Sequence, residues 1–549
     1  MLKFIALSGT TGVTENLYVH EYKDEMIIVD CGVGFPDLEM PGVDLVIPDF
    51  SYIVKNKHKL KGIVLSQGHE DHIGALPFLL REVNAPIWCA PLVTEFIEEK
   101  FKDNDLNLGD IKINTFNPDT AVFEIGSFKI TPFRVSHSVP DTVGFLIDTP
   151  EGKIMHVPEH KIDQKSVDGM SFDIQKAKTL AGSGVLCLIS DCLGSNGPGF
   201  TPSGTEIEEI MYKITEKARG AVYISAMSSS IGRFQQMINV ASKLRRKVVF
   251  VGRSIQNKTE SAHKLGYLKY LDNQVVDIKQ SKKLQSKDLL YIIAGCYGQI
   301  GSSVYRLATG DDDRLSVSSN DTFIFSADPA PPYSKESQDF VIDELIDKGV
   351  DVHYYDLREG LHVSGHGGQE DIKMLFDIAN PKYFIPTGGT VRYMHAYEKL
   401  VVEIGKDKQN VFKLKPGESV VFENGNARRG EKISVKEVMV HGLGIGDIGK
   451  VVLGDRTLLG KQGMVVVVFK ATKQGKVLGK PEIVSRGFVF EGISGGLIND
   501  ATQRLMAIVS NRKNLNTKIL KEESTRFLEN YFFKATGRSP MILPVVVEV

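Results

Sequence analysis

This chain should fold as layered α/β structure. Short apolar, β-favouring runs alternate with segments of helical period, and no internal repeat or extended low-complexity tract interrupts them. Its 549 residues, 42% of them hydrophobic, are enough to bury several cores, so about three or four domains are expected.

From the amino terminus, residues 26–30 (Met-Ile-Ile-Val-Asp), 62–65 (Gly-Ile-Val-Leu) and 128–132 (Phe-Lys-Ile-Thr-Pro) read as strands. Residues 90–101 repeat apolar positions at helical spacing. The run 185–189 predicts a further strand ending at Asp191. Residues 203–217 predict a helix with Ser203 as N-cap and Glu206 closing a capping box. The strand 248–251 runs into Gly252. After residues 424–430 (Asn-Gly-Asn-Ala-Arg-Arg-Gly) the composition turns polar, as in a linker. A compact carboxy-terminal unit follows, with strands at 465–469 and 545–549 and a long helix from Asn499 to Asn511 or beyond.

The chemistry concentrates at residues 66–75, Ser-Gln-Gly-His-Glu-Asp-His-Ile-Gly-Ala. A turn after the strand 62–65 gathers His69, Asp71 and His72 at one strand end. Imidazole and carboxylate suit zinc or manganese, and two such ions a few ångströms apart can clamp a phosphate and generate hydroxide near neutral pH. Gln67 stands where such a pattern begins with histidine.

Over nearly its whole length the chain resembles ribonuclease J, a family with the metallo-β-lactamase fold and an inserted β-CASP domain. The resemblance is carried by Asn16-Leu-Tyr, Asp30-Cys-Gly, residues 42–50, Gly68-His-Glu-Asp-His-Ile-Gly, His137-Ser-Val-Pro-Asp, Ser190-Asp, Gly199-Phe-Thr-Pro, Gly252-Arg-Ser and His362-Val-Ser-Gly-His. In the tail, residues 442–449, 485–487 and 540–544 carry it. It implies an αββα sandwich over 1–203 and 352–425, a β-CASP α/β domain over 204–351, a linker over 426–437 and a small α+β dimerisation-type domain over 438–549.

The same resemblance assigns roles. One metal would be held by Gln67, His69, His137 and Glu159, and the second by Asp71, His72, Glu159 and Gly388. Gln67 and Gly388 stand where the family has histidine, and Glu159 where it has aspartate. An amide oxygen is a poorer zinc ligand than imidazole nitrogen, and glycine offers none. The extra methylene of Glu159 moves its carboxylate by roughly 1.5 Å, against a ligand-distance tolerance of about ±0.2 Å. Pro158 also fixes the local path differently from the family's glycine. His156 and His160, flanking Glu159, are the candidates to substitute for lost ligands. Further departures fall on cleft loops: residues 8–15, Gly232 in place of a histidine, and residues 328–333.

Retained segments point to RNA. By the resemblance His362, Ser364 and His366 contact the scissile or adjacent phosphate, with His362, His366 and Asp71 as the catalytic set, while Asp191 is positional. Ser229, Ser230, Arg253 and Ser254 are further phosphate contacts. Lys+Arg number 66 against Asp+Glu 68, a net charge of −2, so any RNA site must be a local channel. The basic runs 55–61 and 243–247 are candidates, each equally a solvated helix face. Trp88, the single tryptophan, belongs to an apolar segment expected to be buried.

Five cysteines without a Cys-x-x-Cys pair read as reduced, mostly buried thiols of a cytoplasmic protein. The amino terminus lacks a signal-peptide pattern, and no apolar stretch approaches the ~20 residues of a spanning helix. The expected function is a ribonuclease J-like RNA-binding protein of RNA processing and decay whose hydrolytic centre is impaired or lost. Its expected ligand is the single-stranded 5′ end of RNA, and it would pair with itself or with an active paralogue. Zinc or manganese would be bound at reduced occupancy or not at all. The alternative is an active metal-dependent 5′–3′ exo- or endoribonuclease with a rewired or single-metal site.

Overall fold

A computed structural model describes the chain apart from residues 38, 105, 107–110, 168, 330–333, 473–476, 490 and 511–515; for 491–495 it describes the backbone alone. Contacts divide the chain into two units, residues 1–35 with 45–438, and residues 36–44 with 439–549.

The larger unit contains a two-sheet sandwich. Its eight-stranded sheet runs, in spatial order, Asn426–Arg429, Ser419–Glu423, Leu2–Ala6, Tyr18–Tyr22, Glu25–Val29, Leu60–Val64, Ile87–Cys89 and Ile113–Thr115. The six-stranded sheet runs Tyr383–Thr387, Cys187–Asp191, Gly152–Val157, Val143–Thr149, Phe128–Arg134 and Phe123–Ile125. Phe4, Tyr18 and His20 from the first sheet meet His156 from the second in the layer between them. The outer face of the six-stranded sheet is covered by the helices Gln369–Ala379 and Val391–Glu403, with Met155, Leu188, Phe376, Phe384 and Tyr397 buried among them.

Parallel pairing decides where the loops gather. Val157 lies beside Ser190, and Ser190 beside Pro386, so Glu159, Asp191 and Gly388 all emerge from the carboxyl ends of neighbouring parallel strands. In the other sheet Val29 pairs with Val64, bringing Asp30 and residues 66–72 to one edge. Such edges are where α/β sheets hold their ligands.

Between the two parts of the sandwich sequence lies a five-stranded parallel sheet, ordered Lys247–Val251, Leu289–Ile293, Val222–Ser225, Thr322–Phe325 and Asp351–His353. Its core contains Tyr223, Val251, Ile293, Phe323 and Phe325. The strand Asp351–His353 belongs to this sheet, so the insertion runs slightly past the expected residue 351.

In the smaller unit the strand Met464–Ala471 is flanked by Val477–Arg486, antiparallel, and Met541–Glu548, parallel. Val465, Val467 and Phe469 alternate onto a core with Leu505, Leu528 and Phe532 of the helices Glu491–Ser510 and Thr517–Thr536. The expected strands thus start earlier and run longer, and the helix begins eight residues before Asn499; Asn511 lies outside the described residues, as do residues 330–333 of the 328–333 motif.

Two sequence expectations need correction. The capping box at Ser203 does not form. The helix spans Glu206–Lys217 with Thr205 as N-cap and no side-chain cap bond, because Ser203 Oγ donates to Lys165 O at 3.2 Å. Glu206, Glu208 and Glu209 in the first turn complement the helix dipole instead. The linker beginning at 426 is also partly structured, since Asn426–Arg429 pairs antiparallel with Ser419–Glu423. Asn424 and Gly425, both at positive φ, make the tight turn that closes this hairpin.

All five cysteines are buried. Trp88 is partly buried, its ring stacked on Phe123 with centroids 6.1 Å apart. Among the described residues no helix is long and apolar enough to cross a membrane.

Candidate metal centre and phosphate cleft

The loop after Leu60–Val64 delivers His69 in extended conformation, followed by one helical turn, Glu70–Ile73. That turn rests directly on the Asp30–Gly32 segment. Gly32 is required there, because a Cβ would lie 1.6 Å from Asp71 O. Glu159 projects from the end of the strand Gly152–Val157 into the same space, fully within the protein.

Two donor groups converge on it. His69, His137 and Glu159 form one, and Asp71, His72 and Glu159 the other. His137 Nε2 lies 3.0 Å from Glu159 Oε2 and 3.3 Å from His69 Nδ1, and His69 Nδ1 is 4.0 Å from that same oxygen. On the other side His72 Nε2 is 3.3 Å from Glu159 Oε1 and 3.6 Å from Asp71 Oδ2. Ligands around a tetrahedral zinc lie about 3.3 Å apart, given bonds of about 2.0–2.1 Å. Glu159 therefore turns one oxygen to each group.

The far nitrogen of each imidazole is held. His72 Nδ1 donates to Asp30 Oδ2 at 2.8 Å, and Asp30 is fixed in turn by Ser66 N (2.8 Å) and Ser66 Oγ (2.7 Å). His137 Nδ1 donates to Gly365 O at 2.9 Å, and His69 Nε2 shares a hydrogen bond of 3.0 Å with Ser138 Oγ. Such partners orient metal-binding rings. Asn16 Nδ2 lies 3.1 Å from His72 Nε2.

Charge follows the same pattern. Burial works against the charged form of His72, but Glu159, Asp71 and Asp30 outweigh it and hold its pKa well above the ordinary value. Burial would raise Glu159 too, yet His72, His366 and His137 keep it ionised. Asp71 is pushed up to about 7 by burial, with Glu159 adding and His72 opposing. His69 is held well below the ordinary value by burial and by His137.

The fourth position of each group is altered. Gln67 is buried, its Nε2 donates to Glu159 Oε2, and its Oε1 has no hydrogen-bond partner among the described residues. Gly388 sits at φ +65°, where a Cβ would find Asp191 Oδ1 at 3.4 Å. Each group keeps three donors, the number found in catalytic zinc sites. The residues thus fit a cation in either group.

His156 and His160 join neither group. His156 points into the layer between the sheets, its Nδ1 3.3 Å from His20 Nε2, and burial holds its pKa well below the ordinary value. His160 is buried with its ring 6.2 Å from Phe172 and, among the described residues, no hydrogen-bond partner on either nitrogen.

His366 lies beside the cluster, its ring 5.4 Å from His137. Its Nδ1 donates to Asp191 Oδ2 at 2.7 Å. Burial opposes its charged form, but Asp191 and Glu159 bring its pKa up to about 9. Ser364 Oγ accepts from His366 N at 3.0 Å, which shapes the turn. The pKa of His362 is lowered to about 4 by burial and by Arg233. Arg233 itself donates to Ser326 Oγ and Leu361 O. Arg253 and Ser254 line a cavity at the end of the five-stranded sheet together with Ser228; Ser229 and Ser230 are buried. Sequence reading did not give Asp30, Ser138 or Gly365 a role at the site. Only the strand-end position of Asp30 hinted at one.

Comparison with known proteins matches family models described as Ribonuclease J, beta-CASP domain, over residues 219–345 and Ribonuclease J C-terminal domain over 451–549. A beta-lactamase superfamily domain matches 26–173, and a Zn-dependent metallo-hydrolase RNA specificity domain matches 351–412. The chain is 33% identical to Ribonuclease J2 of Bacillus subtilis, covering 100% of this chain and 99% of that protein. It is 33% identical to Ribonuclease J 1 of Streptococcus pyogenes (99% and 97% covered) and 32% identical to Ribonuclease J 2 of Staphylococcus aureus (100% and 98%). A crystal structure of a protein of unknown function from Enterococcus faecalis shares the fold, with TM-score 0.52 and 14% identity over 76% of this chain and 99% of that one.

Proposed function

The chain belongs to the ribonuclease J family, and from that premise we propose that it is an RNA-binding member of RNA processing and decay whose two-metal hydrolysis is impaired. One observation carries this reading: Gln67 spends its amide N–H on the oxygen of Glu159 that faces His69 and His137, while Gly388 offers the other group nothing. Both groups must then draw on one carboxylate.

A cation in this cleft would be held by His69, His137 and Glu159 or by Asp71, His72 and Glu159. Bound there, zinc or manganese supplies Lewis-acid polarisation of a phosphate oxygen and a water of lowered pKa. The chain's own residues do the rest. Asp30 and Gly365 O keep the imidazoles aimed. Asp191 fixes His366 with its other nitrogen free to meet a phosphate, and Ser364 braces that turn. Binding of a single-stranded 5′ end, pairing with a second copy or with an active relative, and a cytoplasmic setting complete the proposal.

A second reading is favoured by the three donors and intact orienting bonds in each group: an active metal-dependent exo- or endoribonuclease of 5′–3′ polarity with a rewired or single-metal site. The two readings separate when the full chain is mixed with 5′-monophosphorylated single-stranded RNA and manganese. The proposal expects a stable complex with the RNA intact, and rapid release of mononucleotides overturns it.

A further inference from the structure

Two loops carry the histidines of the cluster, and one segment of the insertion grips both. The helix Arg253–Lys264 follows the strand Lys247–Val251 of the five-stranded sheet and docks on the helix Pro91–Asp103 of the sandwich. Asn257 Nδ2 donates to Glu99 Oε1 at 2.7 Å, and Lys264 pairs with Glu95 at 2.8 Å. Two further contacts reach beyond this docking surface to the loops themselves.

The first is made by Lys258. It is only 6% exposed, and an ammonium taken out of water is costly unless it is paired. Its Nζ lies 3.4 Å from Glu70 Oε1 and 5.2 Å from the centre of the Phe96 ring, so a carboxylate and an aromatic face both compensate it. Glu70 opens the helical turn Glu70–Ile73 and stands between His69 and Asp71. Its other oxygen is taken by Lys100 at 2.6 Å. Phe96 in turn packs on the residue before His69, since a Cβ on Gly68 would lie 2.7 Å from its ring. A lysine of the insertion thus holds the turn that carries His69, Asp71 and His72.

The second contact is made by Tyr267, just past the end of the helix. Its hydroxyl donates to Asp141 Oδ2, and burial together with the Asp141 carboxylate raises its pKa, so it remains a donor. Asp141 closes the loop that begins at His137. It sits at φ +63°, a left-handed conformation that a residue with a side chain keeps only where its surroundings fix it. Arg134 Nη1 at 3.1 Å and Leu92 N at 3.2 Å supply the remaining bonds. Ser138, in the same loop, shares its hydrogen bond with His69 Nε2 and ties the two loops together.

We infer that Lys258 and Tyr267 are positioning residues through which the insertion sets the metal cluster, Lys258 by way of Glu70 and Tyr267 by way of Asp141, so that cation affinity depends on the docking of this helix. Each acts on backbone that carries a ligand, and ligand distances tolerate only about ±0.2 Å. Whatever shifts the insertion then changes the hold on the cation, and by linkage the cation changes the hold on whatever binds the insertion. The inference rests on the reading of the cleft as a cation site and deepens it.

The test is equilibrium dialysis of the full chain against manganese, with melting temperatures taken in chelator to read folding apart from the metal. Lys258→Met keeps the apolar stem on Phe96 and removes the charge; Tyr267→Phe removes only the hydroxyl. Partners that touch a metal-binding ring directly are worth about 10- to 100-fold in affinity. These two stand one link farther out, so each should weaken manganese binding about three- to tenfold while the melting temperature stays close to that of the parent. Lys258→Arg should restore most of the loss, and Lys264→Met, which loosens the docking surface alone, should bind like the parent. Glu70→Gln combined with Lys258→Met should lose no more than the larger single change, because both break one interaction. If Lys258→Met fails to fold, Tyr267→Phe and Glu70→Gln read the same grip. Parent-like affinity in Lys258→Met and Tyr267→Phe, or fully additive losses in the double variant, overturns the inference while the cation site stands. A parent chain that takes up no manganese removes the cation reading and the inference with it.

Discussion

His69, His72 and His137 each turn one ring nitrogen toward Glu159 and have the other held by Ser138, Asp30 and Gly365 O. Three residues before and one residue after Glu159, His156 and His160 are equally buried, yet among the described residues His160 has no hydrogen-bond partner and His156 only another imidazole. The difference teaches that nearness to a carboxylate does not make a histidine a ligand. A ring serves as one when something fixes its far side and leaves its near side aimed. By that criterion His156 and His160 are packing residues, and the centre must work with what His69, Asp71, His72, His137 and Glu159 supply.

The comparison breaks most sharply at Glu159. Glu159→Gln should lower zinc or manganese affinity more than about 100-fold, because both donor groups lose their shared carboxylate, whereas His160→Phe should leave metal content unchanged. Equilibrium dialysis with elemental analysis reads both, and a large loss in His160→Phe would return that residue to the ligand set. Next comes Asp30→Asn, expected to weaken cation binding about 10- to 100-fold by freeing the far side of His72. Gln67→His should strengthen binding by about tenfold. Gly388→His should gain less, since its φ of +65° costs a side chain roughly 1–2 kcal/mol. No gain from either would make Glu159 and the preceding proline the deeper obstacle.

The smallest expected effect lies at Glu15, which belongs to neither donor group. Burial, with Glu437 adding, raises the Glu15 carboxyl to about 7. Between its unfolded value and about 7 the unfolded chain releases a proton that the folded chain keeps, so stability falls as pH rises through that window and is level above it. Glu15→Gln should flatten that slope by about 1–2 kcal/mol at most, discounted because the side chain is part-exposed. Thermal melting at pH 5 and pH 8 checks it.

Much of this was legible in the chain. His69, Asp71 and His72 are local to one turn after one apolar strand, so their grouping survives without a structure. Asp30 was not legible, because its role arises from the pairing of Val29 with Val64, which places it beside a residue 42 positions away. The Asn-Gly turn at 424–425 was readable, but polar composition after it suggested a linker instead of an edge strand. The Ser203 cap failed for a similar reason: its hydroxyl had a competing partner in Lys165, which only the tertiary fold supplies.

The central claim is that Gln67 and Gly388 leave too few ligands for a paired-cation centre. Elemental analysis of the purified chain, equilibrated with excess zinc or manganese and assayed in parallel on 5′-monophosphorylated RNA, tests it most directly. The account predicts fewer than two ions per chain with little or no turnover; two stoichiometric ions with rapid turnover would contradict it.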